Sequence, residues 1–506
     1  MKKLAIISTF ILGLAATSCD SYLDINESPN SPKESDLNAS ILFPAAEMNL
    51  AGSYGDYLRI TGGYYAQYYC QTFGTSNYLD YSQFSQSATR SSSTYTQLNA
   101  RALKNLELVR DIASQKENWG DYLAATVLRA FTYQVLVDCY GEVPYTEALD
   151  ATNPTPHYDD GKTVYTGILS ELDEALSNAK ASDPVSTNLL FPGQTADSWI
   201  KLANALKLKI YSRMGGSDAQ IGAIVSEGNL PTSDIAYKGC WTSESGHISP
   251  FYAEEFATNW GSTQVNVVAN IAIIGSMQLK DDEGAVVYED PRLPKFFAKN
   301  GSGKYTGGIS GTNFSTSSSY KSAYWCRPVA SYDMPVYMLT MAEIDFFIAE
   351  YYARQGKADM AEAYYDLANA YSMRTAGFDD ATALAYAEAF VAQWPYDQSN
   401  YKKSIGIAKW IALAGVNPFE GYCEIRRLKY PAFGTVKGSD MYNETDDSSY
   451  KPDLYKAGTL YTPIKVYGPV GDNQLLQRWP YAESSSARNS NAPSFPGYTT
   501  PIFWAQ

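Results

Sequence analysis

"YMLTMAEIDFFIAEYYARQG" (residues 337–356) runs without a break into "KADMAEAYYDLANAYSMRTAG" (residues 357–377). Each block carries apolar residues at helical spacing. Each ends in a glycine, the residue that most readily takes the backbone conformation required just past a helix end. Two amphipathic helices joined at Gly356 make an αα-hairpin. Tyr351, Tyr352 and Tyr364 fall on the helical period, so they read as core or interhelix packing and not as ligand contacts.

The same period recurs upstream. Residues 97–115 place Leu98, Ala102, Leu106, Val109 and Ile112 on one face, and residues 121–141 repeat this with Leu123, Val127, Phe131 and Val135. That second block stops at Gly141 with Pro144 beyond it, a helix-end signal. Residues 164–180 follow with Ile168, Leu172, Ala175 and Ala179, and residues 196–216 with Trp199, Leu202, Leu206 and Ile210. The 337–377 pair is close to the ~34-residue period of tetratricopeptide repeats and is similarly rich in Ala and Tyr. No strict consensus recurs, so a plain helical hairpin stands as the alternative. Between the blocks, residues 52–96 and 240–335 are rich in Gly, Ser and aromatics, and residues 431–506 have little helical period. The expected picture is a mostly α-helical scaffold carrying long, irregular, aromatic excursions, which are usually functional. The length allows about three domains as a prior, but no linker separates them. Residues 41–506 read as a single domain.

"LGLAATSCDSYLDINESPNSP" (residues 12–32) reads as the end of an export signal. Lys2 and Lys3 precede an apolar core from Leu4 to Ala16, which falls short of the ~20 residues that span a bilayer. Small residues lead to Cys19, as in the lipobox of bacterial lipoproteins. Residues 1–18 are then a signal peptide, Cys19 carries lipid, and residues 19–40 form a flexible tether; an ordinary secretory signal with an incidental cysteine is the alternative. No later stretch is apolar for long enough to cross a membrane. Removing residues 1–18 takes two of the 39 Lys and Arg and none of the 54 Asp and Glu, moving the net charge from −15 to −17. So acidic a chain is a poor nucleic-acid partner. Cys70, Cys139, Cys240, Cys326 and Cys423 are scattered and contain no CxxC pair, which argues against zinc or thiol-redox chemistry. Buried thiols are the simplest reading, with one long-range disulfide left open.

Catalytic motifs are missing where they would be needed. The two histidines, His157 and His247, form no HExxH. Gly161-Lys162-Thr163 ends like a phosphate-binding loop, but Pro156 stands where the first glycine is required. Gly301 and Gly303 are followed by Thr306 where a dinucleotide fingerprint needs glycine. The Glu254-Glu255 pair is the kind of acidic neighbour expected by chance among so many acids, although a glycosidase needs two such groups. Asp159-Asp160 and Asp281-Asp282-Glu283 lack calcium-loop spacing and read as solvated turns. The chain is therefore read as no enzyme, with no catalytic residue, no metal and no cofactor.

Several islands resemble the SusD/RagB nutrient-binding outer-membrane lipoproteins of Bacteroidetes. They are "YLDINESPNSP" (22–32), "LRAFTYQVLVDCYGEVPYTEAL" (128–149), "SWIKLANALKLKIYSRM" (198–214), "EDPRLPKFFAKNGSGKYTGG" (289–308), "AEIDFFIAEYYARQG" (342–356), "RRLKYP" (426–431) and "QRWPYAESSSARN" (477–489). They lie in order across nearly the whole chain after Cys19. One stretch departs: Gly421-Tyr422-Cys423 stands where the family often carries a tryptophan. The resemblance implies a SusD-like fold on four tetratricopeptide-like helix pairs. It also implies a lipid-anchored location on the outer membrane, facing the exterior, and a SusC-like TonB-dependent β-barrel transporter as partner. The implied role is capture of an oligosaccharide or polysaccharide; capture of oligopeptides, or a transporter lid with little binding of its own, are the alternatives. Sugar rings pack their C–H faces on aromatic rings while their hydroxyls need nearby polar groups. On that ground the candidate ligand contacts are aromatics in polar loops and one neighbouring cation: Tyr78, Trp260, Tyr324, Trp325 and Arg327.

Overall fold

The computed structural model describes residues 38–71, 76–257, 266–312, 325–444, 446 and 449–506. Its frame is helical. The helices that matter here are α1 (Ala39–Ser53), α2 (Arg59–Tyr65), α3 (Lys104–Gln115), α4 (Trp119–Tyr140), α5 (Gly161–Asn178), α6 (Ala196–Met214), α7 (Asp218–Glu227), α8 (Met341–Arg354), α9 (Ala358–Thr375), α10 (Asp380–Gln393), α11 (Tyr401–Leu413) and α12 (Pro418–Leu428). Successive helices pack as four pairs, α3 on α4, α5 on α6, α8 on α9 and α11 on α12. Helix α4 lies at the centre, buried on every side from Gly120 to Tyr140, and α3, α5 and α6 all pack against it. Its mixed, nearly uniform apolar content is what a fully enclosed helix requires. Asn118 caps it, its side chain accepting from the Asp121 N–H. Nearly all of the buried apolar side chains among the described residues form one contiguous cluster.

The 337–377 hairpin forms as α8 and α9, with Gly356 at φ +69 in the connection, where a side chain would be strained. Its first helix begins later than the period suggests. Thr340 and Glu343 make a reciprocal capping box that starts the helix at Met341. The preceding Val336–Leu339 is instead a strand, paired antiparallel with Ile235–Tyr237. A second departure lies in residues 52–96, expected to be irregular. Residues 59–65 are the helix α2, and Tyr64, Tyr65, Tyr68 and Tyr69 around it are wholly buried. The reason is close packing: a Cβ on Gly62 would lie 2.4 Å from the Phe419 Cα of α12. The two helices meet almost backbone to backbone.

Charged residues fasten the helix pairs together. Arg213 of α6 pairs with Asp138 of α4 at 2.5 Å and with Glu420 of α12. Lys209, one turn earlier, also reaches Glu420, at 2.5 Å. Glu424 receives Arg427, Lys409 and Arg213 at 2.7, 2.9 and 3.4 Å, and Arg427 continues to Glu350 of α8 at 2.6 Å. All of these groups lie inside the protein.

The five cysteines after Cys19 are free thiols, and Cys70, Cys139, Cys326 and Cys423 are buried. The Gly161-Lys162-Thr163 triplet opens α5, and the Asp160 carboxylate accepts from the N–H groups of Lys162 and Thr163, at 3.0 Å each. An acid thus caps the helix end that a phosphate would otherwise occupy. No helix among the described residues is long and apolar enough to cross a membrane.

Candidate functional site

Among the described residues, three stretches wind as π-helical turns: Tyr54–Leu58, Gln97–Leu103 and Ala253–Ala257. Such turns are rare and concentrate at functional sites. All three line one cleft of about 500 Å³. The first contributes Asp56 and Tyr57, the second Gln97 and Arg101, the third Ala253 and Glu254. Asn49 and Ser53 of α1 and Ser93 and Thr94 add polar groups to the wall, and Met48, Gly52 and Pro250 complete it. The size suits a small-molecule site, and the lining offers an aromatic ring among amides, hydroxyls and charges.

Tyr57 is held from behind. Its hydroxyl accepts from Gln86 Nε2 at 2.7 Å, and its ring meets Tyr81 and Trp479 edge-on at 6.1 and 5.9 Å. The acids are crowded. Burial, then the neighbouring Glu254 and Glu255, push the Asp56 carboxyl up to about 8. Glu255 is pushed up to about 7, chiefly by burial; Tyr78 and Arg327 oppose this and Glu254 adds to it.

Tyr78 sits beside this cluster. Its hydroxyl donates to Glu254 Oε1 at 3.4 Å, its N–H donates to Gln71 Oε1 at 2.7 Å, and its ring stacks on Tyr81 at 5.7 Å. It is only 6% exposed. Arg327 is half-buried, with its guanidinium 4.6 Å from the Phe256 ring centre. Burial lowers its pKa while Glu255 works in the opposite direction. Tyr78 and Arg327, far apart in sequence, are thus brought to neighbouring carboxylates, Glu254 and Glu255. Trp325 is 2% exposed and packs edge-on against Tyr450 at 5.1 Å. Cys19, Trp260 and Tyr324 lie outside the described residues.

The stems of the aromatic excursions run side by side. Strand β1 (Tyr69–Gln71) pairs antiparallel with β2 (Val267–Ala269), Cys70 opposite Val268. The Ala269 N–H donates to the Cys326 carbonyl at 2.7 Å, which brings in the segment leading to Arg327. Sequence reading missed Asp56, Tyr57, Gln97 and Arg101. Residues 97–103 read as ordinary helix, because one extra residue in a turn leaves the apolar period nearly intact.

The family profile described as "Starch-binding associating with outer membrane" (SusD-like) matches residues 29–451. Among solved structures, a chitin-binding protein superposes with a TM-score of 0.70 at 18% identity, covering 92% of this chain and 100% of its own. A SusD homologue from Bacteroides uniformis gives 0.68 at 20% identity, covering 92% and 99%. A SusD/RagB family protein from Bacteroides thetaiotaomicron gives 0.67 at 18%, covering 93% and 99%. No match was found among curated proteins.

Proposed function

Because this chain belongs to the SusD/RagB family, we propose that it is a surface lipoprotein that captures an oligosaccharide or polysaccharide and passes it to a TonB-dependent outer-membrane transporter. The observation that carries the reading is the convergence of all three π-helical turns of the described residues on one polar, aromatic-walled cleft. The family's description as starch-binding and outer-membrane-associated supports it, as does the chitin-binding protein among the structural neighbours. The role is binding, not catalysis.

In this reading residues 1–18 export the chain, Cys19 takes the lipid, residues 19–40 tether it, and residues 41–506 form the capturing domain at the cell exterior. Multiple acyl chains on Cys19 would hold firmly, at about 0.8 kcal/mol per buried CH₂. The proposed ligand contacts are Trp260, Tyr324 and Arg327, to which the cleft adds Asp56, Tyr57 and Glu254; Tyr78 and Trp325, both buried, support the site. Tyr78 acts through its bond to Glu254, and Trp325 anchors the stem that precedes Arg327.

One feature favours a second reading. The cleft places the carboxyl groups of Asp56 and Glu254 beside a single cation, Arg101, and these oxygens can also accept hydrogen bonds from the ammonium group of a peptide. Calorimetric titration of the body from Ser21 onward, against a polysaccharide panel and a mixed peptide pool, separates the two. Saturable heat with one glycan, lost in Trp260→Ala or Trp325→Ala, supports glycan capture. Heat with peptides alone moves the chain to the peptide reading. Silence in both overturns independent capture and leaves a transporter lid.

A further inference from the structure

We propose that the C-terminal part of the fold holds a second binding site, separate from the cleft above, for a small organic anion with an apolar body. A cavity of about 450 Å³ opens beyond the end of α12. Its apolar wall is made by Ile425, Pro431, Phe433, Leu460 and Leu475. Its polar wall is made by Arg426, Lys429 and the amides of Asn473, Gln474 and Gln477. No lining side chain is acidic, in a chain with 54 Asp and Glu against 39 Lys and Arg. The cleft described above, by contrast, is lined by two acids, Asp56 and Glu254.

The cations are not spent on carboxylates. Lys209, Arg213, Lys409 and Arg427 each hold an acid inside the protein. Arg426, 1% exposed, instead donates from Nη1 to the carbonyls of Asp138 and Gln477 at 2.9 and 2.7 Å, and from Nη2 to Cys423 Sγ at 3.2 Å. Its Nε has no partner, and neither does the buried Gln477 Oε1. Lys429 donates to the Ala505 carbonyl at 2.5 Å, which leaves ammonium hydrogens for another acceptor. Burial, then Arg426 and Lys402, depress its pKa, the response of an ammonium that lacks a counter-charge. The carboxyl end of α12 presents about half a negative charge. Gln506, the last residue of the sequence, also lines the cavity, and its main-chain carboxylate and the helix end together still fall short of the two cations, so the wall keeps a small positive surplus. An anion seated between Lys429 and the amides, with its apolar part on Phe433 and Leu475, satisfies both halves of the lining.

The test uses two dyes that share a skeleton, 8-anilinonaphthalene-1-sulfonate and the neutral N-phenyl-1-naphthylamine, titrated into the soluble body by fluorescence. The sulfonate is expected to saturate one site at least about tenfold more tightly than the neutral dye, the difference one charge-assisted hydrogen bond makes. Octanoate should displace it. Gln474 is exposed, so Gln474→Glu should leave the melting temperature unchanged. It should weaken the sulfonate about tenfold while sparing the neutral dye, and Lys429→Met should do the same. Equal affinity for the two dyes, or sulfonate binding untouched by both variants, overturns the proposal. It does not rest on the glycan reading, which the calorimetry above tests at another place in the molecule.

Discussion

Glu424→Gln is the sharpest probe of what holds the helix pairs together. Glu424 is 2% exposed. Its carboxylate gathers Arg427, Lys409 and Arg213 within 2.7, 2.9 and 3.4 Å. Burial would raise its pKa, but Arg427, Lys409 and Arg213 together hold it well below the usual carboxylate range. Glutamine keeps the shape and removes the charge. It also turns an amide N–H₂ toward groups that only donate. Breaking one partner of a buried ion pair costs about 3–5 kcal/mol, and three cations sharing one acid place the expected loss in the upper half of that range. The reference is Lys207→Met, which deletes the Lys207–Asp173 pair, whose acid is largely exposed; exposed pairs contribute about 1 kcal/mol or less. Urea unfolding followed by tryptophan fluorescence and far-UV circular dichroism reads both, as a shift in midpoint at constant slope. Acid adds a second check. The folded pKa of Glu424 is depressed, so its contribution is complete above the unfolded value near 4.5 and is lost as pH falls through the folded value. The gap between wild type and variant should hold constant above about pH 5 and close in acid. A cost no larger than that of Lys207→Met, or a gap that stays open in acid, refutes the reasoning.

Gly62→Ala should destabilise the protein by about 1–3 kcal/mol, because its Cβ would meet the Phe419 Cα at 2.4 Å and N at 2.7 Å; unchanged urea unfolding would show that α2 and α12 can separate freely. Asp56 holds its proton up to about pH 8 in the fold but only to its ordinary 3.8 when unfolded. Wild-type stability should therefore decline as pH rises between those values. Asp56→Asn should flatten that decline, and a variant profile parallel to wild type counts against the crowded-acid account of the cleft. Cys19→Ala should release the protein from membranes into the soluble fraction. Retention of the variant in cells that lack the partner barrel removes the lipid anchor from the proposal.

What the sequence discloses is what is periodic. The hairpin at 337–377 and the helices around Val127, Leu172 and Leu206 could be read because an apolar stripe repeats and a glycine ends it. The start of α8 could not, because Val336–Leu339 becomes a strand only by pairing with residues about a hundred positions earlier. The buried charges escape for the same reason. Lys209 and Arg213 stand seven residues after Leu202 and Leu206, on the apolar face of α6, but their partners Glu420 and Glu424 stand more than two hundred residues on. A cation on an apolar face reads as a break in the stripe until its counter-charge is found, and only the fold finds it. The candidate site shows the complement. Tyr78 stands out in the sequence because its neighbours are polar, yet Tyr64 and Tyr81 cover its ring and its hydroxyl alone reaches the cleft's acid. Asp56, Gln97 and Glu254 carry no motif; they meet because three helices each take one residue too many in a turn. Local composition therefore locates the neighbourhood of the site, whereas its chemistry is set by long-range pairing. It follows that a relative keeping the aromatic loops but losing the three π-turns should keep the fold and lose this cleft.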